Sequence, residues 1–325
     1  MRKLTLALLA CIAAVPAYGQ SIKKLDPALD AVIAPGARIE KVATGFLFTE
    51  GPMWRSGKLW FSDVKGDKVR TLTPDGKVTV VLKDSGGVKD ASPNFFLGSN
   101  AMVTDKDGSI LLTRMAIGTI ERMDDKGNLK PFLSKYQGKR LNSPNDLVFT
   151  KDGALWITDP PFGLPKMDAD PKKELKFNPV WRYAGGKLTP AITDMTAPNG
   201  IAFSPDEKIL YVSNSMPKMY VRAYDVGANG ALSNPRNLIS YPAPNPADVP
   251  DGMKVDSAGN IWSSGPGGVR IISPTGKVLG QLVIPETVAN LAFAEDGKTV
   301  YLTGSTSIYR LHSKIAGELP LYYRP

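Results

Sequence analysis

The chain of 325 residues contains one cysteine, Cys11, and one histidine, His312. A disulfide framework is therefore excluded, as are metal centres built from thiolates and imidazoles and catalysis that pairs a cysteine with a histidine. His312 follows an outer-strand pattern, Ile308-Tyr309-Arg310-Leu311, and reads as surface. Long hydrophobic runs are also scarce. The apolar stretch at residues 4–15 is too short to cross a bilayer, so no membrane span is expected. No glycine-rich loop leads from a strand into a helix, and no GxSxG elbow is present, which leaves nucleotide-dependent and serine-hydrolase chemistry without a foothold. Basic residues outnumber acidic ones, 40 to 31. They stand singly at turns rather than in a stripe with aromatics, a pattern of a solvated surface and not of a nucleic-acid binder. Sustained helical periodicity is missing too, and an all-β class remains.

The N-terminus has the order of a secretory signal. Arg2 and Lys3 precede the apolar run, and Ala17-Tyr18-Gly19 offers small residues before Gln20. Residues 1–19 are therefore expected to be a leader and the protein to be secreted, into the periplasm if the source is bacterial. Leu8-Leu9-Ala10-Cys11 loosely resembles a lipoprotein cleavage site, but the apolar stretch before it is short. Without Arg2 and Lys3 the basic count falls from 40 to 38 against 31 acids, a net charge near +7. The mature chain would carry no thiol.

What the sequence does contain is a repeat. A carboxylate or carboxamide followed by apolar positions, a tight turn and an apolar strand begins at Glu50, Asn100, Asn145, Asn199, Asp251 and Asn290. A period of about 40 to 55 residues reads as propeller blades, each a small sheet that buries its faces by stacking in a ring. The expectation is a six-bladed β-propeller over residues 38–317, after an N-terminal extension at 20–37 and before a tail at 318–325. Turns such as Pro74-Asp75-Gly76-Lys77 and Asp107-Gly108 separate strands such as Lys58-Leu59-Trp60-Phe61-Ser62. Trp54, Trp60, Trp156, Trp181 and Trp262 fall mostly at strand positions and are expected between blades. Segment 38–43 has no blade of its own and should close the ring beside 307–311, removing an exposed edge. Connections at 84–98, with Phe95 and Phe96, at 160–178, with Phe162, and at 241–250 are longer than a blade needs, and the last, which runs into Asp251, should form part of a rim over the centre.

One equivalent residue per blade points at one place. Glu50 and Asp251 would bring carboxylates, and Asn100, Asn145 and Asn199 carboxamides, with Asn290 less regular because an ungapped alignment puts Ala289 at its position. Such an all-oxygen set suits a hard divalent cation, calcium first, with zinc, iron or manganese as alternatives. Two carboxylates balance a dication. Asn and Asp at turns also cap their own backbone, but caps have no reason to include Glu50.

Glu50-Gly51-Pro52-Met53-Trp54, Leu141-Asn142-Ser143-Pro144-Asn145-Asp146, Thr158-Asp159-Pro160-Pro161-Phe162-Gly163, Pro198-Asn199-Gly200-Ile201 and Pro250-Asp251-Gly252-Met253 resemble the gluconolactonase and regucalcin-like lactonases. The resemblance spans about residues 39–317. It implies a six-bladed propeller with one divalent metal in its channel, held by Glu50, Asn145, Asn199 and Asp251, with Asp251 also the catalytic carboxylate. Asn100, Arg114 and Asn145 would contact substrate. Relatives often carry histidine after the second strand of blade 2, where this chain reads Thr113-Arg114-Met115, and arginine where it has Ser143. The implied reaction is metal-assisted opening of a lactone, an aldonolactone first, with Asp251 as general base. Two alternatives stand beside it: phosphoester or organophosphate hydrolysis with Asp251 as nucleophile, and a propeller that only binds a ligand. A monomer is the expectation.

Overall fold

The computed structural model describes residues 19–88, 96–242 and 248–323. The leader expected at 1–19 and Phe95 fall outside this range, apart from Gly19. Six antiparallel sheets form six blades of a propeller. Blade 1 runs Thr49–Arg55, Lys58–Asp63, Lys68–Leu72 and Val78–Lys83, from the channel outwards. Blades 2 to 5 repeat the order, with inner strands Ser99–Thr104, Leu147–Phe149, Pro198–Phe203 and Met253–Val255. In blade 6 the inner three strands are Val288–Ala294, Thr299–Gly304 and Ser307–His312. Its outer strand, Glu40–Thr44, comes from the start of the chain and pairs Glu40 with Arg310 and Thr44 with Ser307. That pairing closes the ring as the sequence suggested, and the last edge is no longer free.

Inner strands approach one another closely at the end that carries the repeat residues. A Cβ on Gly51 would stand 2.0 Å from the Asn100 carbonyl oxygen, and one on Gly200 would stand 2.2 Å from that of Asp251. Only glycine lets neighbouring backbones meet there, and this explains why a glycine follows Glu50 and Asn199. Between blades the core is apolar and aromatic. Trp156 packs edge-on to Phe203, and Trp262 to Phe293. All five tryptophans are buried. The indole N–H groups of Trp181 and Trp262 donate to Asp159 and Asp256, each at 3.0 Å, which satisfies the polar edge of a buried ring.

Residues 20–37, read as an extension, are docked on the propeller. Ser21–Lys24 adds a fifth strand to blade 5, pairing Ser21 with Val283. The short helix Leu29–Val32 then buries Leu29, Val32 and Ile33 in the cluster that holds Trp262, Phe293 and Tyr309. At the other end, Gly317 bridges to Asp256 and the Glu318 amide donates to the Val255 carbonyl. Tyr322 meets Phe149 edge-on, so the tail crosses the channel end opposite the repeat residues. Truncating Leu29 to alanine is expected to cost about 2–5 kcal/mol of unfolding free energy, the usual range for emptying a core site. Urea unfolding checks this. A loss below about 0.5 kcal/mol, typical of a surface change, would return 20–37 to the status of an appendage.

Candidate active site in the propeller channel

Each candidate side chain sits at the start of an inner strand, at the channel end crowded by long connections. Glu50, Asn100, Asn145 and Asn199 are buried there, and Asp251 is partly buried. A buried hydroxyl stands at the last or last-but-one position of the second strand of every blade: Ser62, Thr113, Thr158, Ser213, Ser264 and Thr303. Four of them reach across to the next blade. Ser62 donates to the Asn100 carbonyl at 2.7 Å, Thr113 to that of Asn145 at 3.1 Å, Ser213 to that of Asp251 at 2.8 Å, and Ser264 to that of Ala289 at 2.7 Å. By this criterion Ala289 occupies the ring position in blade 6, and Asn290 stands one residue further in.

The side chains are sorted by what their nitrogens and second oxygens do. Asn199 donates its amide to Ser215 at 3.0 Å, and Ser215 donates onward to the Pro250 carbonyl at 2.7 Å. Asn100 and Asn145 turn their amide nitrogens to the thioether of Met115, at 3.4 and 3.8 Å. Glu50 accepts at Oε2 from the Gly51 amide and from Asn290 Nδ2, the latter at 3.1 Å. Asn290 is itself held by the Leu291 amide and the Lys254 ammonium on its oxygen. Among the described residues, Glu50 Oε1, Asn100 Oδ1, Asn199 Oδ1 and Asp251 Oδ1 are then buried oxygens without a hydrogen-bond partner. Buried acceptors left bare are costly, and a cation is the partner that such oxygens suit. No three of His, Cys, Asp and Glu gather as a ligand set among the described residues. A cation here depends on the carboxamides.

Burial and mutual repulsion dominate the electrostatics. The Glu50 carboxyl is pushed up to about 7 by burial and by the charge of Asp146, against hydrogen bonds from Gly51 and Asn290 and the nearby Lys254. Asp251 is raised well above the ordinary carboxylate range by burial, then by the charges of Glu50 and Asp146. A positive charge between them would reverse both shifts.

Arg114, expected to orient substrate, instead braces the connection after blade 1. Its Nη1 pairs with Glu121 at 2.8 Å, its Nε donates to the Ser85 carbonyl at 2.8 Å, and its Nη2 to that of Asp84 at 3.3 Å. The next residue, Met115, takes the place beside the carboxamides. Phe162 is partly buried, and Phe96, 36% exposed, packs edge-on to Phe48 under the Lys65 ammonium. His312 is exposed at the end of the third strand of blade 6, not on its outer strand.

Three contributors escaped the sequence reading. Asp146 supplies a third carboxylate, held by the amides of Leu147 and Ile201. Its signal was an acid after the repeat residue, where Glu50, Asn199 and Asp251 have glycine. The six hydroxyls were visible as Ser or Thr at or next to the end of each second strand. Met115 carried no sequence signal as a polar partner.

Comparison with known proteins gives the chain a family. Residues 48–306 match the family model described as the SMP-30/Gluconolactonase/LRE-like region. A gluconolactonase from Zymomonas mobilis is 36% identical over 312 residues, 91% of this chain and 87% of that protein. A 6-deoxy-6-sulfogluconolactonase from Pseudomonas putida is 35% identical over 275 residues, 79% of this chain and 82% of that protein. Among solved structures, a gluconolactonase from Xanthomonas campestris superposes with a TM-score of 0.79 at 32% identity, covering 90% of this chain and 94% of its own. The ring of oxygen-bearing side chains lies within the matched residues, and the chain belongs to the SMP-30/gluconolactonase/LRE-like family.

Proposed function

We propose that this protein is a metal-dependent lactonase acting on an aldonolactone. The observation that carries the reading is the orientation of the channel ring, in which amide nitrogens are tied back while Glu50 Oε1, Asn199 Oδ1 and Asp251 Oδ1 stay bare. Glu50, Asn145, Asn199 and Asp251 would hold the cation, calcium first, with zinc, iron and manganese as the other candidates. The gluconolactonase and sulfogluconolactonase relatives support the substrate class. The leader-like residues 1–19 and the thiol-free remainder support export.

A divalent cation bound to these oxygens supplies Lewis acidity toward the carbonyl oxygen of a ring ester. The chain's own residues do the rest. Asp251 accepts a proton on a carboxylate oxygen from the water that adds to the carbonyl carbon. The ring C–O bond then breaks, and the former ring oxygen leaves as a hydroxyl, taking the proton that Asp251 accepted and restoring its carboxylate. Asn100 offers Oδ1 as an acceptor for a substrate hydroxyl, of which a polyhydroxy lactone has several. Met115 and Gly163 wall the same side of the site, since a Cβ on Gly163 would come within 2.7 Å of Met115 Cβ. Asp146 and Glu50 keep the local field negative, which favours retention of the cation.

Titrating the chelator-treated protein with each cation while following acid release from gluconolactone, above its spontaneous opening, tests the activity. Asp251→Asn and Glu50→Gln are each expected to lower kcat/KM by about 10²-fold or more, the scale of a lost general base or charge partner. His312→Ala should change nothing. Full activity in either site variant would contradict the mechanism.

Stability against pH gives a second test. Glu50 has a folded-state pKa raised to about 7 from an ordinary value of 4.5. The unfolded chain therefore releases this proton first, and the cation-free protein loses stability as pH rises from about 4.5 to about 7. The melting temperature of chelated protein is expected to fall across that window and to be restored at pH 7 to 8 by excess calcium. Glu50→Gln should flatten the fall. A profile already flat in the unaltered protein would refute the electrostatic account.

A further inference from the structure

Met115 is 1% exposed, yet it belongs to none of the apolar clusters that fill the blades among the described residues. Its backbone is fixed on both sides. The Gly118 amide donates to the Met115 carbonyl at 3.1 Å, closing the turn between the second and third strands of blade 2. Gly163 lies flat on it, where any Cβ would come within 2.6 Å of the Met115 carbonyl carbon, and the Gly163 amide is itself anchored on Ser143 Oγ at 2.6 Å. The sulfur is thus set between two blades, 3.4 Å from Asn100 Nδ2 and 3.8 Å from Asn145 Nδ2.

A thioether accepts hydrogen bonds weakly and donates none. An amide turned the other way would press its carbonyl oxygen against the sulfur lone pairs and forfeit the N–H to sulfur contact, a repulsion that the observed orientation avoids. One sulfur therefore selects one orientation for both carboxamides. A histidine, hydroxyl or amide at the same place would tolerate either, because each can donate as well as accept.

We propose that Met115 is a positioning residue for the channel cation: its single thioether fixes Asn145, which would hold the cation, and Asn100, the substrate acceptor of the adjacent blade, with nitrogen on sulfur and oxygen on the opposite side of each amide. The proposal rests on the cation-site reading given above. It assigns the sulfur to the layer behind the ligands, where it orients hard oxygen donors and does not itself bind the ion. Substitutions in such a layer typically cost 10–100-fold in metal affinity.

Calorimetric titration of chelator-treated protein with calcium and manganese tests this without recourse to turnover. Met115→Leu keeps the apolar bulk and removes the acceptor, and it is expected to weaken binding by about tenfold or more. The chelated variant should melt within a few degrees of the unaltered protein. Met102→Leu, a buried methionine packed with Trp60 and Leu112 and making no contact with the two amides in the hydrogen-bond network, should bind as the unaltered protein does. Met115→Gln, whose own carboxamide satisfies either orientation, should also weaken binding, and it keeps the test decisive if the leucine variant does not fold. Unchanged affinity in a folded Met115 variant overturns the proposal. An equal loss in Met102→Leu overturns it as well, because the effect would then be one of packing. An unaltered protein that takes up no cation overturns this proposal and the cation-dependent function together, whereas unchanged binding in Met115→Leu overturns this proposal alone.

Discussion

Six buried hydroxyls, one at or next to the end of each second strand, hold the inner strands in place at the level of the site. Ser62, Thr113, Ser213 and Ser264 each donate to a carbonyl in the following blade, while Thr158 and Thr303 accept from the amides of Asp146 and Asn290 within their own blades. Each bond contributes on the order of 1 kcal/mol, and each buried carbonyl left bare would cost somewhat more. Their larger effect is geometric. Backbones brought this close admit only glycine at Gly51 and Gly200, and the residue before each glycine is thereby delivered to the channel.

A ring held so tightly can afford bare oxygens. Amide nitrogens find partners behind the site, on Ser215 and Met115, and Asn290 holds one oxygen of Glu50. The oxygens left over face one another, and burial, together with the charges of neighbouring carboxylates, raises the carboxyls of Glu50 and Asp251. An arrangement that is unfavourable by itself and favourable around a positive charge is one a cation can stabilise by binding.

The blades and their closure were legible in the sequence because a period of turn glycines and alternating strands repeats six times, and one copy checks another. Glu50, Asn199 and Asp251 were legible for the same reason. What the repeat could not resolve was anything that differs by one residue. Successive side chains of a strand point to opposite faces, so Arg114 and Met115 exchange roles on a single step at a strand end, and the guanidinium goes to Glu121 while the thioether meets the carboxamides. Asp146 and Asn290 likewise stand one place past the ring and act on Glu50 from there. The docking of residues 20–37 was hidden because Leu29 and Val32 span less than a helical turn, too few positions to show a period.

The central claim is that oxygens, and not amide nitrogens, face a single cation in the channel. Anomalous diffraction from crystals soaked in manganese tests it most directly. The account predicts one peak, within coordination distance of Glu50, Asn145, Asn199 and Asp251, with Asn100 and Asn145 holding their nitrogens on Met115. A peak elsewhere, or carboxamides turned with nitrogen toward the channel, would contradict it.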